Sequence, residues 1–344
     1  MNNMNTWGLF GHDWAVEHLR KAMQSRRIRH AYLLTGVEQV GKQTLATAFA
    51  AALNCLNIQF DSFGSPLDPR PCRECASCRR IISGNHPDII WAQHDPVSNR
   101  IKIEEIRAVV RQLALKPFEA RYRIAIFTDF DQAQPLAQDA LLKTLEEPAP
   151  RALLFLLTAQ PAAVLPTITS RSQVIRLRAQ SADTVRAALL ANGADPDQAD
   201  RLARLSAGRV GWALSAFHQP DTLDQRARAL DLLDQLLASN RAERFKHAED
   251  FAKDKPSLIT LLQLWMSFWR DLVVSFHNHQ LPLINLDRAS QITQLRAALS
   301  PRLALRALDA TQSALKSLET NASPRLILEV MFLDYPGLRI ESGG

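Results

Sequence analysis

The chain has 344 residues, 47% hydrophobic and 22% charged, and its Lys and Arg exceed Asp and Glu by 41 − 35 = 6. That balance describes a folded globular protein of two or three domains, mildly basic enough to accept a phosphate-bearing partner, and it excludes collagen, coiled-coil and disordered chains. The longest charge-free stretch, Ala152 to Ser170, contains Gln160, Pro161 and Pro166 and reads as a strand and loop, not a membrane span. The first residues lack the basic and apolar regions of an export signal, so a cytoplasmic location is expected.

In chain order, Ala31 to Thr35 predicts a strand, and Gly36 to Thr44 a loop entering a helix that continues to Leu53. Asp88 to Trp91 is a short strand. Ile103 to Leu113 has apolar residues at 103, 106, 109, 110 and 113, the helical period. Arg123 to Thr128 is the next buried strand, Ala137 to Glu147 a helix stopped by Pro148, and Leu153 to Leu157 another strand. An extended loop from Pro161 to Thr169 leads to a last strand over Ser172 to Leu177. This alternation predicts an α/β fold with a parallel sheet covered on both faces. Beyond Arg178 the strands stop. Asp183 to Leu190 and Gln198 to Leu205 are short helical patterns, followed by Gly208 and Gly211 as breakers. Residues 222–333 read as helical throughout, punctuated by Pro256, Pro282, Pro301 and Pro324. Three domains are expected: 1–178, 179–218 and 219–344.

Gly36-Val-Glu-Gln-Val-Gly41-Lys42 fits the first seven positions of a phosphate-binding loop and sits between a strand and a helix. Backbone amides and the helix start would cradle phosphates, with Lys42 reaching the terminal ones. The magnesium-binding Ser or Thr is missing, because Gln43 stands there and Thr44 comes one residue late. At the end of the following buried strand, Thr128-Asp129 stands where an ATPase needs Asp for the metal and commonly a Glu beside it. Both changes fall on the same ion. ATP hydrolysis by this chain alone is not expected, and the loop reads equally as a retained fold element.

All four cysteines, Cys55, Cys72, Cys75 and Cys78, fall within 24 positions. Four thiolates are the complement of a closed tetrahedral zinc site, with no open position for chemistry. His86 is the alternative fourth ligand to Cys55. Around them, Arg70, Arg73, Arg79 and Arg80 read as a solvated basic face or a contact for DNA or a partner. Trp265 and Trp269, with Leu261, Leu262 and Leu272, form a helix face expected in a core.

Five features together resemble the delta-prime subunits of bacterial DNA polymerase III clamp loaders, within the wider AAA+ ATPase class. They are His30-Ala-Tyr-Leu-Leu-Thr-Gly36, the cysteine cluster, Gly84-Asn-His-Pro-Asp88, Leu141-Leu-Lys-Thr-Leu-Glu-Glu-Pro148 and Thr169-Ser-Arg171. The likeness covers most of 7–215 and extends weakly to Asn321 through Glu329. It implies an AAA+ phosphate-loop domain with a zinc module inserted at about 55–78, a helical lid over 179–218 and a helical collar over 219–344. It further implies a largely rigid, catalytically silent member of a five-subunit ring with motor ATPases and a delta subunit, which loads the sliding clamp onto primed DNA within the polymerase holoenzyme.

By the same resemblance, Arg171 matches the family's arginine finger, supplied in trans to a neighbour's nucleotide. This sequence departs from the family pattern at Ser172, commonly Cys there, and in a longer spacer, 16 residues, between Cys55 and Cys72. A second arginine that hydrolysing relatives turn on their own nucleotide falls at Gly211, with Arg209 out of register. Gly36, Gly41, Lys42, Thr44 and Asp129 thus form a degenerate nucleotide site, weakly occupied or empty. Alternatives are an ATP-hydrolysing AAA+ motor subunit of a clamp loader and a DNA-binding module built on the zinc element.

Overall fold

The apolar runs of the first half become five strands in a computed structural model, which describes residues 4–96, 100–219, 221–277, 283–318 and 322–337. Pro282 and Asn321, noted above, lie outside the described residues. The strands are β1 (Ala31–Thr35), β2 (Ile89–Trp91), β3 (Arg123–Phe127), β4 (Ala152–Thr158) and β5 (Gln173–Arg176). All pairs are parallel, in the order β2-β3-β4-β1-β5, with Ala31 opposite Leu154 and Tyr32 opposite Gln173.

Side chains alternate across a strand, so each apolar run feeds two layers. Tyr32, Leu34, Ile126 and Phe155 pack with Phe49 on one face; Ala31, Leu33, Phe127, Leu154 and Leu156 pack with Ile106 and Val109 on the other. Every residue of β1 and β4 is buried, as a two-sided sheet requires. The aromatic core is tied edge-on, Tyr32 and Phe49 having ring centroids 5.3 Å apart.

Helices α1 (Asp13–Gln24), α2 (Lys42–Leu53), α3 (Ala76–Ile82) and α4 (Ile103–Leu113) precede β3. The helix expected over 137–147 is instead two pieces, α5 (Pro135–Asp139) and α6 (Leu142–Glu146). The break follows from Gln138. Its buried side chain donates to the carbonyls of Ala133 (2.9 Å) and Ala163 (2.8 Å) and accepts from the Leu165 amide (2.9 Å). Ala140 and Leu141 bond three residues back, not four, tightening the chain there. The expected extended loop after β4 contains a helical turn, α7 (Pro166–Thr169), because Pro166 starts it at the first helical position.

Beyond β5 come α8 (Ala182–Ala191), α9 (Pro196–Leu205), α10 (Val210–His218), α11 (Asp221–Ala238), α12 (Arg241–Phe251), α13 (Lys255–His277), α14 (Ala289–Ala298), α15 (Pro301–Leu318) and α16 (Pro324–Asp334). Two compact units result: residues up to Ala199 with Gly208–Leu214, and Asp200–Ala207 with residues from Ser215 onward. The 179–218 segment contributes to both.

In the second unit, Trp265, Phe268, Trp269 and Leu272 of α13 are fully buried with Phe332 of α16. Arg244 of α12 is buried there too. Its guanidinium donates to the carbonyls of Leu236 (3.2 Å), Leu237 (3.3 Å), Phe332 (2.8 Å), Tyr335 (2.9 Å) and Pro336 (2.8 Å). It closes carbonyls that two helix ends leave open. No described helix is long and apolar enough to cross a membrane.

Candidate functional site

The phosphate-loop residues Gly36, Gly41 and Lys42 converge where β1 turns into α2. Gly36 has φ 152°, and a Cβ there would stand 2.5 Å from the Leu177 carbonyl, so only glycine fits. Gly41 caps α2 with φ 113°. Lys42 is buried, and its ammonium folds back on the loop, donating to the carbonyls of Gly36 (2.6 Å) and Val37 (3.0 Å). Burial pushes its pKa down, against the pull of Asp129 and Asp131.

The loop is braced from two further sides. The His12 ring meets the Val40 carbonyl at 2.9 Å. The Gly211 amide donates to the Gln39 carbonyl at 2.9 Å, and a Cβ on Gly211 would lie 2.8 Å from that oxygen. The position where hydrolysing relatives were expected to carry an arginine is thus in backbone contact with the loop. Gln43 and Thr44 are both exposed at the start of α2.

Asp129, at the end of β3, is exposed and left-handed (φ 46°). Crowding by protein and then the Asp131 charge push its carboxyl pKa upward, an effect that its contact with water moderates. Asp131 and Thr158 are the residues the sequence reading missed. Asp131 accepts from Thr158 Oγ1 (2.7 Å) and the Ala159 amide (3.1 Å), while the Thr158 carbonyl accepts from the Gly36 amide (3.2 Å). The available signal was a hydroxyl ending a strand that is otherwise wholly apolar.

The four cysteine sulfurs all lie within 4.8 Å of one another. Zinc–sulfur bonds of about 2.3 Å place tetrahedral sulfurs nearly 4 Å apart, so a small inward shift of the sulfurs would let the donor set hold a zinc ion. Cys55 completes the group across the 56–71 loop. His86 is engaged elsewhere: its ring accepts from the Asp88 amide (3.1 Å) and lies 3.3 Å from Ser77 Oγ. Cys75 caps α3, and amides point at sulfur: Cys75 N to Cys72 Sγ (3.3 Å) and Cys78 N to Cys75 Sγ (3.4 Å). Burial raises the Cys78 and Cys55 thiols. At Cys75 burial works upward too, but the amides of Cys78 and Leu56 outweigh it and bring that thiol to about 7. Among the neighbouring arginines, Arg70 pairs with Asp68 (2.7 Å), Arg80 with Glu119 (2.6 Å), and Arg73 donates to the Trp7 carbonyl (2.5 Å).

Arg171 follows α7 and precedes β5. Its side chain is 38% exposed, with Nη2 2.8 Å from Glu146 Oε1 and Nη1 donating to the Thr167 carbonyl at 3.1 Å. The phosphate loop leaves the carboxyl end of β1, whereas Arg171 enters the amino end of β5. Since β1 and β5 are adjacent and parallel with Tyr32 opposite Gln173, the two lie at opposite ends of the strands.

A family model described as "DNA polymerase III, delta subunit" matches residues 11–181. DNA polymerase III subunit delta' of Bacillus subtilis is 27% identical over 319 residues, covering 92% of this chain and 93% of that protein. Subunit delta' of Pseudomonas aeruginosa is 30% identical over 212 residues, 60% of this chain and 61% of that one. DNA polymerase III subunit tau of Bacillus subtilis is 34% identical over 163 residues, but those cover 47% of this chain and only 27% of tau.

Proposed function

Because the chain belongs to the DNA polymerase III clamp-loader family, we propose that it is a delta-prime-type subunit that helps load a sliding clamp onto primed DNA in the cytoplasm. It is a catalytically silent AAA+ subunit that presents Arg171 to the nucleotide of a neighbouring motor ATPase, in a ring of five subunits that includes a delta subunit. Within it, 1–178 is the AAA+ domain, 179–218 a lid and 219–344 a collar.

The observation that carries this reading is the position of Arg171 at the strand ends opposite those that carry the chain's own phosphate loop. From Gly36 to the level of Arg171 is about six residue rises, roughly 20 Å, beyond the reach of one side chain. A phosphate served by Arg171 therefore sits on another chain. The guanidinium's planar fork matches two phosphate oxygens and neutralises charge that develops during transfer. Support for silence comes from Thr128, Gln43 and Gly211, which stand where a working site needs metal ligands and a second arginine.

Cys55, Cys72, Cys75 and Cys78 would hold a structural zinc that ties the 56–71 loop and α3 to the end of α2. A bound zinc supplies four bonds that close this small module and no reactive water, since all four positions are sulfur.

The test is ATP turnover on primed DNA with motor subunits, delta subunit and clamp. Arg171→Ala is expected to slow hydrolysis at the neighbouring site by about 10³-fold, with the chain alone inactive. Equal turnover by wild type and variant would remove Arg171 from the mechanism, and turnover by the chain alone would favour the motor reading.

A further inference from the structure

Arg171 is an exposed side chain just beyond a four-residue helical turn, yet it is not free to sweep. Glu146 Oε1 holds Nη2 at 2.8 Å, and the Thr167 carbonyl holds Nη1 at 3.1 Å, with Ser170 Oγ 3.4 Å from the same nitrogen. Both terminal nitrogens are thereby fixed, while Nε–H and further N–H groups of the five-donor guanidinium stay available.

Glu146 is the last residue of α6, 25 positions before Arg171. A carboxylate at that end of a helix faces the open carbonyls, an unfavourable place unless a cation sits against it. Arg171 is that cation. The break between α5 and α6 bears on the same pair. Gln138 joins the Ala133 turn to Ala163 and Leu165, just before α7, so the segments carrying Glu146 and Arg171 are stapled together by a buried side chain.

Resting on the finger reading above, we propose that Glu146 is a positioning residue for Arg171. It holds the guanidinium in one orientation before a neighbour's phosphate arrives. An arginine carries about 2 kcal/mol of rotamer entropy, and fixing it beforehand removes part of that cost from the step in which it acts.

The experiment is steady-state ATP turnover by the reconstituted complex with Glu146→Gln, Glu146→Asp, Arg171→Ala and the double variant Glu146→Gln/Arg171→Ala. Glu146 is half exposed, and an unchanged thermal midpoint verifies that each variant chain is folded. Glu146→Gln is expected to lower kcat about two- to fivefold, the scale of an exposed ion pair, with KM for ATP unchanged. Glu146→Asp should recover part of the loss, and Glu146→Gln should cost nothing further once Arg171 is alanine. A large loss for Arg171→Ala with an unchanged or raised kcat for Glu146→Gln would overturn the role of Glu146 alone, as would an equal loss in both backgrounds. An inert Arg171→Ala would overturn the finger and Glu146 with it.

Discussion

Lys42 Nζ lies 2.6 Å from the carbonyl oxygen of Gly36, the residue that opens the loop Lys42 closes. In a working phosphate loop the ammonium reaches the terminal phosphates as well as loop carbonyls; on the silent reading proposed above, only its bonds to Gly36 and Val37 matter here. Lys42→Met should therefore leave ATP turnover of the assembled complex within about twofold, and destabilise the chain by about 1–3 kcal/mol because two carbonyls lose their donor. Turnover assays and urea unfolding measure the two effects, and loss of turnover in a stable variant would contradict the reading.

Gly211 presses its amide on the Gln39 carbonyl with no room for a side chain. Gly211→Arg, which restores the expected arginine, should fail to create ATPase activity in the isolated chain and should cost about 1–3 kcal/mol from backbone displacement. Denaturant unfolding and a phosphate-release assay decide it.

The sulfur geometry predicts about one zinc per chain by elemental analysis. Cys72→Ser should lose the metal and lower the thermal midpoint by about 10 °C, since zinc binding contributes directly to folding. A metal-free wild type with an undiminished midpoint would remove zinc from the description.

Asp88 is fully buried and receives the amides of Phe118 (2.7 Å), Glu119 (2.9 Å) and Ala120 (2.9 Å) together with Arg123 Nη1 (3.2 Å). Burial works to raise its pKa, but these donors outweigh burial and hold it below the ordinary 3.8. A depressed carboxyl adds stability that is present above 3.8 and is lost as pH falls through the lower folded value. Asp88→Asn should be about 2–3 kcal/mol less stable than wild type at pH 7. The difference should shrink below pH 3.8, followed by urea titration across pH.

Arg244 satisfies five carbonyls from inside the second unit. Arg244→Met keeps most of the volume and removes every donor, so a loss of about 3–5 kcal/mol is expected. Trp265 and Trp269 fluorescence during unfolding would record it. A loss under about 1 kcal/mol would mean that water reaches those carbonyls instead.

The five strands were legible because a parallel sheet buried on both faces leaves unbroken apolar runs, and Ala31–Thr35 and Ala152–Thr158 are such runs. The phosphate loop was legible through Gly36, Gly41 and Lys42, since those backbone angles demand glycine. The sulfur cluster was legible from spacing alone. The break at Ala140 was not, because local helical preference continues to Glu147 and only the tertiary bonds of Gln138 interrupt it. Asp131 and Thr158, and Glu146 with Arg171, escaped for one reason. Each pair meets across more than 20 positions, and neither partner carries a local mark of the other. The helix Asp13–Gln24 escaped because its buried residues Ala15, Val16, Leu19 and Met23 are sparse among charged neighbours.

The phosphate loop and Arg171 stand at opposite strand ends of one parallel sheet, which gives the first unit a front and a back. Two copies related by a two-fold axis would bring like end to like end and leave the proposed pairing of loop and arginine unmade. If Arg171 serves a neighbour's phosphate, as proposed, subunits built this way would add head to tail, each with one neighbour ahead and a different one behind. On that same proposal, a member whose own loop needs no arginine from the next subunit can end such a series, and its unanswered end is where an arc of subunits would stay open.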